Sequence, residues 1–411
     1  MVPTSRRNID FLCAVVIVGL LAGVAGLSTT LLLRFVEHLT YHYTFGSLLQ
    51  GVTGSSPVRR ALGPMVGGAL AGLGWWILRS RSIVPPLSAV IASRERMRLL
   101  PFGIDAALQV VVVGSGASLG REGAPRQFAA ALSDLGIGWL KRLSARDREL
   151  LLACAAGAGL GAVYAVPVGG ALFTLRIMLK TWHPRAMGAA LITSSLAVAV
   201  ASLITRNQPS LNWPNLHLSY RLIGYALVLA PLALVAGLAF DRLTATAHRA
   251  ALTRSWLLVP AIAGAGLLIG VCSDRWPELP GNGRSILTAT LASGMTLTTA
   301  AAVLILKPLL TAVFLRAGAA GGMLTPALAT GAATGTLFVL AINAVTGAHY
   351  HVPAISLAGA AGVLAVTQRT PFWAAIFVWE LARPPLWLLL VFLSAALGAY
   401  GMRLVVERCR R

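Results

Sequence analysis

The sequence predicts an all-α protein that crosses a membrane several times. Of its 411 residues, 57% are hydrophobic and 11% are charged, and the mean hydropathy is +0.77. An ordinary soluble domain carries about 25% charged residues. The apolar runs also reach the roughly 20 residues that a membrane-spanning helix needs, well beyond the strands of a membrane barrel. Composition and run length together predict a helical, polytopic membrane protein.

Six apolar segments have the length of a single transmembrane helix. They are Phe11–Leu33, Ala61–Leu78, Ala186–Ile204, Ile223–Phe240, Leu257–Cys272 and Leu386–Val406. Three further runs, Leu150–Leu179, Ser285–Leu315 and Ile355–Trp379, are longer and contain Gly or Pro. Interrupted runs of this kind are typical of half-helices and re-entrant segments in transporters. We therefore expect some helices that do not cross the bilayer in one piece.

The basic residues argue for a lipid partner rather than a nucleic acid. The formal net charge is +21, and the basic residues form short clusters between apolar runs, as at Arg6 and Arg7, Arg59 and Arg60, and Lys141 to Arg148. Clusters at such positions follow the positive-inside bias and contact anionic lipid headgroups. We expect no nucleic-acid partner. Because both ends of the chain are basic, we place both termini in the cytoplasm.

The segment from Gly114 to Phe128 carries the strongest functional signal. It is rich in glycine, follows an apolar run and contains Glu122, Gly123 and Pro125. A carboxylate at membrane depth is costly and by default marks an ion or proton pathway. Pro125 favours a helix start, and a helix N-terminus presents N–H groups and a positive dipole end to an anion. Glu122 is then a negative charge placed where an anion would bind.

Two motifs recur in the same order, which indicates an internal repeat. The glycine-rich motif that ends at Pro125 recurs at Pro326, and the Gly/Ala-rich span with Pro167 recurs with Pro371. Matching interrupted segments in two halves point to a binding site near the bilayer midplane, where the halves meet. We predict a first half at residues 1–205, a linker at 206–217 and a second half at 218–411.

These motifs resemble the CLC family of chloride channels and transporters, and its bacterial ClcB-like branch. Gly120-Arg-Glu-Gly123 is similar to the family's gating motif, with Ala124 where the family usually has proline. Gly318 to Pro326 is similar to its second anion-binding motif. The resemblance runs from the first span to about Met402. It implies tilted, partly re-entrant helices in two inverted halves, and a homodimer with one pore per subunit in the bacterial inner membrane.

The resemblance also implies roles for individual residues. Glu122 is similar to the family's gating glutamate, which occupies the anion's place when deprotonated and moves aside when protonated. Ser82 is similar to the central serine, although it can also be read as an ordinary helix N-cap. Arg121 either lines an anion vestibule or anchors the fold. The implied anion-binding residues are Ser82, Arg121, Glu122, Gly123, Ala124, Gly322, Met323, Leu324 and Thr325.

Departures from the family pattern leave the transport mode open. Ile83 replaces a glycine beside the central serine, and Leu324 replaces an aromatic residue, so fluoride or another small anion is an alternative to chloride. Ile177 stands at the position of the exchangers' inner proton-transfer glutamate. Counting forward from Glu380, the pore tyrosine would fall at or past Arg411, so the family's final helix is expected to be missing.

We therefore predict chloride transport through a glutamate-gated pore. Passive conduction is the favoured mode, and proton-coupled antiport is the alternative. A membrane-embedded enzyme is the rival class, but the apolar spans contain no serine–histidine or cysteine–histidine constellation. The seven scattered histidines indicate no metal site, and no cofactor is expected. A non-transporting scaffold or remnant is the remaining alternative.

Overall fold

A computed structural model describes residues 4–43, 46–93, 95–205, 211–214, 220–347 and 350–409. Across these residues the chain forms seventeen α-helices and one π-helical turn. The described part contains no strand, and its one isolated backbone bridge joins Gly120 and Gly322. Eight of the described helices are long and apolar enough to cross a membrane. The predicted class, an all-α polytopic membrane protein, is confirmed.

The six predicted single spans lie on α1, α3, α9, α10, α11 and α17, and these helices extend up to nine residues beyond the predicted apolar runs. The helices in chain order are α1 Thr4–Tyr41, α2 Leu48–Gly54, α3 Pro57–Arg81, α4 Leu87–Ser93, α5 Leu99–Gly114, α6 Gly123–Ile137, α7 Ala145–Tyr164, α8 Pro167–Phe173, α9 Pro184–Thr205, α10 Arg221–Arg249, α11 Leu258–Arg275, α12 Arg284–Leu291, α13 Leu297–Arg316, α14 Leu324–Thr346, α15 Val352–Gln368, α16 Pro371–Ala382 and α17 Leu388–Arg408. The π-helical turn Thr174–Met178 continues α8.

The three interrupted runs are broken helices, as predicted. Two of the breaks share one local geometry: Ala165 after α7 and Arg369 after α15 have φ of 55° and 56°. A left-handed residue stops a helix, because its Cβ crowds the following carbonyl. Two positions later, Pro167 and Pro371 each open a new helix, where the missing proline N–H costs no intrahelical bond. The third run breaks between α12 and α13.

The chain forms two compact units that each combine separate segments. The first unit contains Met1–Leu33, Ile77–Val110 and Glu122–Ser210, and the second contains Arg34–Trp76, Val111–Arg121 and Leu211–Arg411. Two segments from the first 205 residues therefore pack with the later part of the chain. Of the predicted linker 206–217, residues 206–210 and 215–217 lie outside the described residues.

In the first unit, α7 is the central helix and an ionic cluster joins three helix ends. Asp147 on α7 accepts a hydrogen bond from Arg7 of α1 at 2.9 Å and pairs with Arg185 of α9 at 3.0 Å. Further along α7, a Cβ added at Gly159 would lie 2.5 Å from the carbonyl oxygen of Pro125. Only glycine permits this close crossing of α6 and α7.

In the second unit, α14 and α15 are buried along most of their length and cross at glycines. A Cβ added at Gly331 would lie 2.5 Å from the carbonyl oxygen of Gly359. Small residues of this kind allow membrane helices to approach closely. The rigid packing of α14 fixes the position of its first turn, which belongs to one of the predicted motifs.

Candidate functional site

The second unit holds the glycine-rich turn that precedes Glu122, and it pairs this turn with the start of α14. Gly120 N–H donates to the Gly322 carbonyl at 2.6 Å, and Gly322 N–H donates back at 2.8 Å. A Cβ added at Gly321 would lie 2.9 Å from Cβ of Leu119. The two predicted motifs are therefore joined through their glycine backbones, which explains why both contain glycine at these positions.

Polar contacts to α13 fix the same turn. The Ser118 hydroxyl donates to the Lys307 carbonyl at 3.2 Å, and the Thr311 hydroxyl donates to the Ser118 carbonyl at 2.8 Å. The loop before α12 adds a third contact, since Gly281 N–H donates to the Gly116 carbonyl at 2.8 Å. The turn is thus held from two directions by hydrogen bonds whose acceptors are backbone carbonyls.

Lys307 is not among the residues predicted from the sequence, but it contacts both the glycine-rich turn and the loop before α12. It is 0% exposed, and its ammonium donates to the carbonyls of Leu279 at 2.9 Å and Gly281 at 2.6 Å. A lone lysine inside the apolar run Ser285–Leu315 was a visible signal, because charged residues within membrane helices are rare and functional. Its role is to position the loop that contacts the glycine-rich turn.

The start of α14 carries four of the predicted anion-binding residues. Met323 is the N-cap residue and 42% exposed, and Leu324 and Thr325 are buried in the first turn. Gly322 precedes them and is half-buried. Arg121, also in the second unit, follows the bridge residue Gly120 and is buried. The structure therefore groups Arg121 with Gly322, Met323, Leu324 and Thr325.

In the first unit, Glu122 is the N-cap residue of α6 and is followed by Gly123 and Ala124 in the first turn. Its side chain is only 1% exposed. Pro125 is the third residue of α6, so the expected helix start at this motif is present. The first N–H groups of a helix have no intrahelical acceptor, and with the helix dipole they favour a negative charge.

A tyrosine contacts this carboxylate. The Tyr164 hydroxyl, at the end of α7, donates to Oε2 of Glu122 at 3.4 Å. Tyr164 belongs to the Gly/Ala-rich repeat, but nothing in its spacing from Glu122 points to the contact. The hydroxyl therefore helps to hold the carboxylate at the start of α6.

Ser82 lies in the irregular segment between α3 and α4, also in the first unit. It is half-buried, and its N–H donates to the Leu78 carbonyl at 2.8 Å. Because α4 begins only at Leu87, Ser82 is not a helix N-cap. The neighbouring Ile83 is 74% exposed. The structure therefore does not support an N-cap role for the Ser82 hydroxyl.

The π-helical turn contains the residue at the exchangers' inner glutamate position. Ile177 is half-buried there, and the adjacent Arg176 is exposed and lies 5.2 Å from the centre of the Trp182 ring. An isoleucine cannot carry a proton, so this position offers no acid. Among the described residues, no group of three or more histidine, cysteine or acidic side chains is arranged to hold a metal ion.

The comparisons with known proteins agree with this arrangement. The sequence matches the family described as "Voltage gated chloride channel" over residues 67–403. It is 29% identical over 380 residues to the voltage-gated ClC-type chloride channel ClcB of Citrobacter koseri, covering 89% of each chain. The same channel of Escherichia coli is 28% identical over 376 residues, again with 89% of each chain covered.

Two solved structures have the same fold. A slow cyanobacterial Cl−/H+ antiporter matches with a TM-score of 0.78 at 20% identity, over 97% of this chain and 98% of that one. A CLC-type fluoride/proton antiporter matches with a TM-score of 0.76 at 18% identity, over 98% and 97%. The predicted resemblance and the predicted anion-transport function are confirmed. The chain belongs to the voltage-gated chloride channel family, whose members are anion channels and transporters rather than enzymes.

Proposed function

We propose that this protein transports chloride and that Glu122 is its gate. The observation that carries the proposal is a carboxylate that is 1% exposed at the start of a helix in a membrane protein. A helix start attracts anions, so a charged Glu122 and a chloride ion compete for the same positive potential. Protonation removes the charge of Glu122 and leaves the site to chloride.

The remaining predicted residues support anion binding in each unit. In the first unit, Ser82, Gly123 and Ala124 would supply hydroxyl and backbone N–H donors. In the second unit, Arg121 and the segment 322–325 would supply donors of the same kinds to the anion. Chloride held by dipoles rather than by full charges binds weakly enough to be released, which conduction requires.

We propose passive conduction as the transport mode, with proton-coupled antiport as the alternative. Ile177 favours conduction, because a side chain without a titratable group cannot relay a proton inward. The two solved structures described above are antiporters, one for chloride and one for fluoride, which favours the alternative. Fluoride is therefore the second anion to be tested.

We further propose that the chain arose by duplication, with halves at 1–205 and 218–411. The similar breaks before Pro167 and Pro371 support this, as does a proline at the third residue of both α6 and α14. The protein is proposed to act as a homodimer in the bacterial inner membrane, with both termini in the cytoplasm. It is proposed to have no enzymatic activity.

The test is ion flux in liposomes that contain the purified protein. Chloride efflux and proton uptake are recorded together, at a clamped membrane potential, and the experiment is repeated with fluoride. We expect chloride efflux without stoichiometric proton uptake. Efflux coupled to proton uptake would establish the antiport alternative, and faster fluoride than chloride efflux would change the assigned substrate. Flux equal to that of protein-free liposomes for both anions would overturn the transport proposal.

A further inference from the structure

Arg126, on α6, is a half-buried cation that the proposed gate does not explain. It follows Glu122 by four residues, and residues four apart lie on the same face of a helix. Among the described residues, the contacts of the Arg126 guanidinium are with an aromatic ring and a thioether rather than with a carboxylate.

The surroundings of this guanidinium are apolar or weakly polar. Its Cζ lies 4.5 Å from the centre of the Phe173 ring, and Nη2 donates to Sδ of Met178 at 3.9 Å. Nε is fully buried and has no hydrogen-bond partner among the described residues. Since a thioether is a weak acceptor, the guanidinium keeps donors for another partner.

An anion is the partner that these surroundings favour. A cation–π contact offsets only part of the cost of removing a guanidinium from water. The charge-assisted N–H bonds of arginine are its strongest interactions, and they require a negatively charged acceptor. The apolar walls formed by Phe173 and Met178 favour a small ion that loses its water over a large one with a polar body.

We propose that Arg126 binds a small inorganic anion at a separate subsite, one helical turn beyond Glu122. The subsite lies in the first unit, between α6, the end of α8 and the π-helical turn. It differs from the helix-start sites because its ligand is a side-chain cation rather than backbone N–H groups. The inference rests on the proposed transport of chloride, which supplies the anion.

Bromide, a halide that can be located by its anomalous scattering, tests the proposal directly. Crystals of the full-length protein grown in bromide are compared for the unmodified chain and for Arg126→Gln, Arg126→Lys and Arg146→Gln. Arg146 is an exposed arginine on α7 in the same unit and serves as the matched control. In parallel, the chloride concentration for half-maximal efflux is measured in liposomes.

We expect bromide in contact with the Arg126 guanidinium of the unmodified chain. The bromide should persist in Arg126→Lys and Arg146→Gln and disappear in Arg126→Gln. The half-saturating chloride concentration should rise roughly tenfold in Arg126→Gln, since a charge-assisted hydrogen bond is lost. Bromide at the helix starts but not at Arg126 would overturn this inference and leave the transport proposal standing. Absence of bromide throughout, together with absence of flux, would overturn both.

Discussion

Arg126 in the first unit and Lys307 in the second are both cations on apolar helices, and their contacts in the described structure are with groups other than carboxylates. Their hydrogen bonds differ. The Lys307 ammonium donates to two backbone carbonyls at 2.9 and 2.6 Å. Arg126 has one aromatic ring and one thioether, with its Nε unpartnered in the described structure.

The difference separates a structural cation from one that is available to a ligand. Carbonyl oxygens direct their partial negative charge at Lys307 and fix it in place, so the lysine holds a loop. The guanidinium of Arg126 has no comparable acceptor, so its charge remains available to a mobile anion. Burial of a charge does not by itself identify a binding residue. The number of hydrogen-bond acceptors around the charge distinguishes a binding residue from a structural one.

Replacing Lys307 should have the largest effect. Lys307→Met leaves the buried carbonyls of Leu279 and Gly281 without their donor, and each such loss costs about 1–3 kcal/mol. We expect the free energy of unfolding to fall by about 2–6 kcal/mol for the two carbonyls together, measured by denaturation in detergent. Lys180→Met, at an exposed lysine of the first unit, is the control and should have no effect. An unchanged free energy of unfolding in Lys307→Met would contradict the distinction between Lys307 as a structural cation and Arg126 as a ligand-binding one.

Asp147 is a carboxylate of the first unit that does pair with cations. Its replacement should have the second-largest effect on stability. Burial raises the pKa of this carboxyl, but hydrogen bonds from Ser144 and Arg7 outweigh it and hold the pKa below its usual value. Asp147→Asn should therefore lower the free energy of unfolding at pH 7 by about 1–2 kcal/mol.

The pH dependence has a definite sign. A carboxyl with a lowered folded-state pKa stabilises the protein fully above its unfolded-state pKa, and this contribution is lost as the pH falls through the folded-state value. The gap between Asp147→Asn and the unmodified chain should thus narrow below about pH 4. A gap that stays constant down to pH 2 would contradict the assigned contacts.

Arg126→Leu should have a small effect on stability, in contrast with Lys307→Met. Replacing a charge whose only acceptor in the described structure is a thioether by an apolar side chain should be nearly neutral or stabilising. We expect the free energy of unfolding to change by less than about 1 kcal/mol. A loss comparable to that in Lys307→Met would mean that Arg126 has a structural role, and the comparison would fail.

The smallest expected effect is that of Tyr164→Phe. The variant removes the 3.4 Å hydrogen bond to Glu122 and keeps the aromatic ring. Without this donor the carboxylate is held less firmly at the start of α6. Chloride efflux at neutral pH should rise by about twofold or less, because the bond is long and therefore weak. A loss of chloride efflux in Tyr164→Phe would contradict this role of the hydroxyl.

Much of the fold could be read from the sequence, because apolar length and proline position act locally. The helix breaks before Pro167 and Pro371 follow from the prolines, whereas the left-handed conformation of the residues two positions earlier is seen only in the structure. The helix starts at Glu122 and Met323 follow likewise from the glycine–proline motifs.

The remainder depends on packing between distant segments. The grouping of 34–76 and 111–121 with the later chain is set by which helix faces meet, and no local pattern encodes that. The contact of Tyr164 with Glu122 depends on the close crossing of α6 and α7 at Gly159. Lys307 and Arg126 could be recognised as charges in apolar surroundings, but their different roles required knowledge of their acceptors.

The central claim is that Glu122 competes with the transported anion, and the pH profile of chloride efflux in Glu122→Gln tests it most directly. Glutamine keeps the shape of the side chain and cannot be charged. We predict that efflux through the unmodified protein rises as the pH falls, whereas efflux through Glu122→Gln is high and independent of pH. A Glu122→Gln variant that keeps the pH dependence of the unmodified protein would contradict the account.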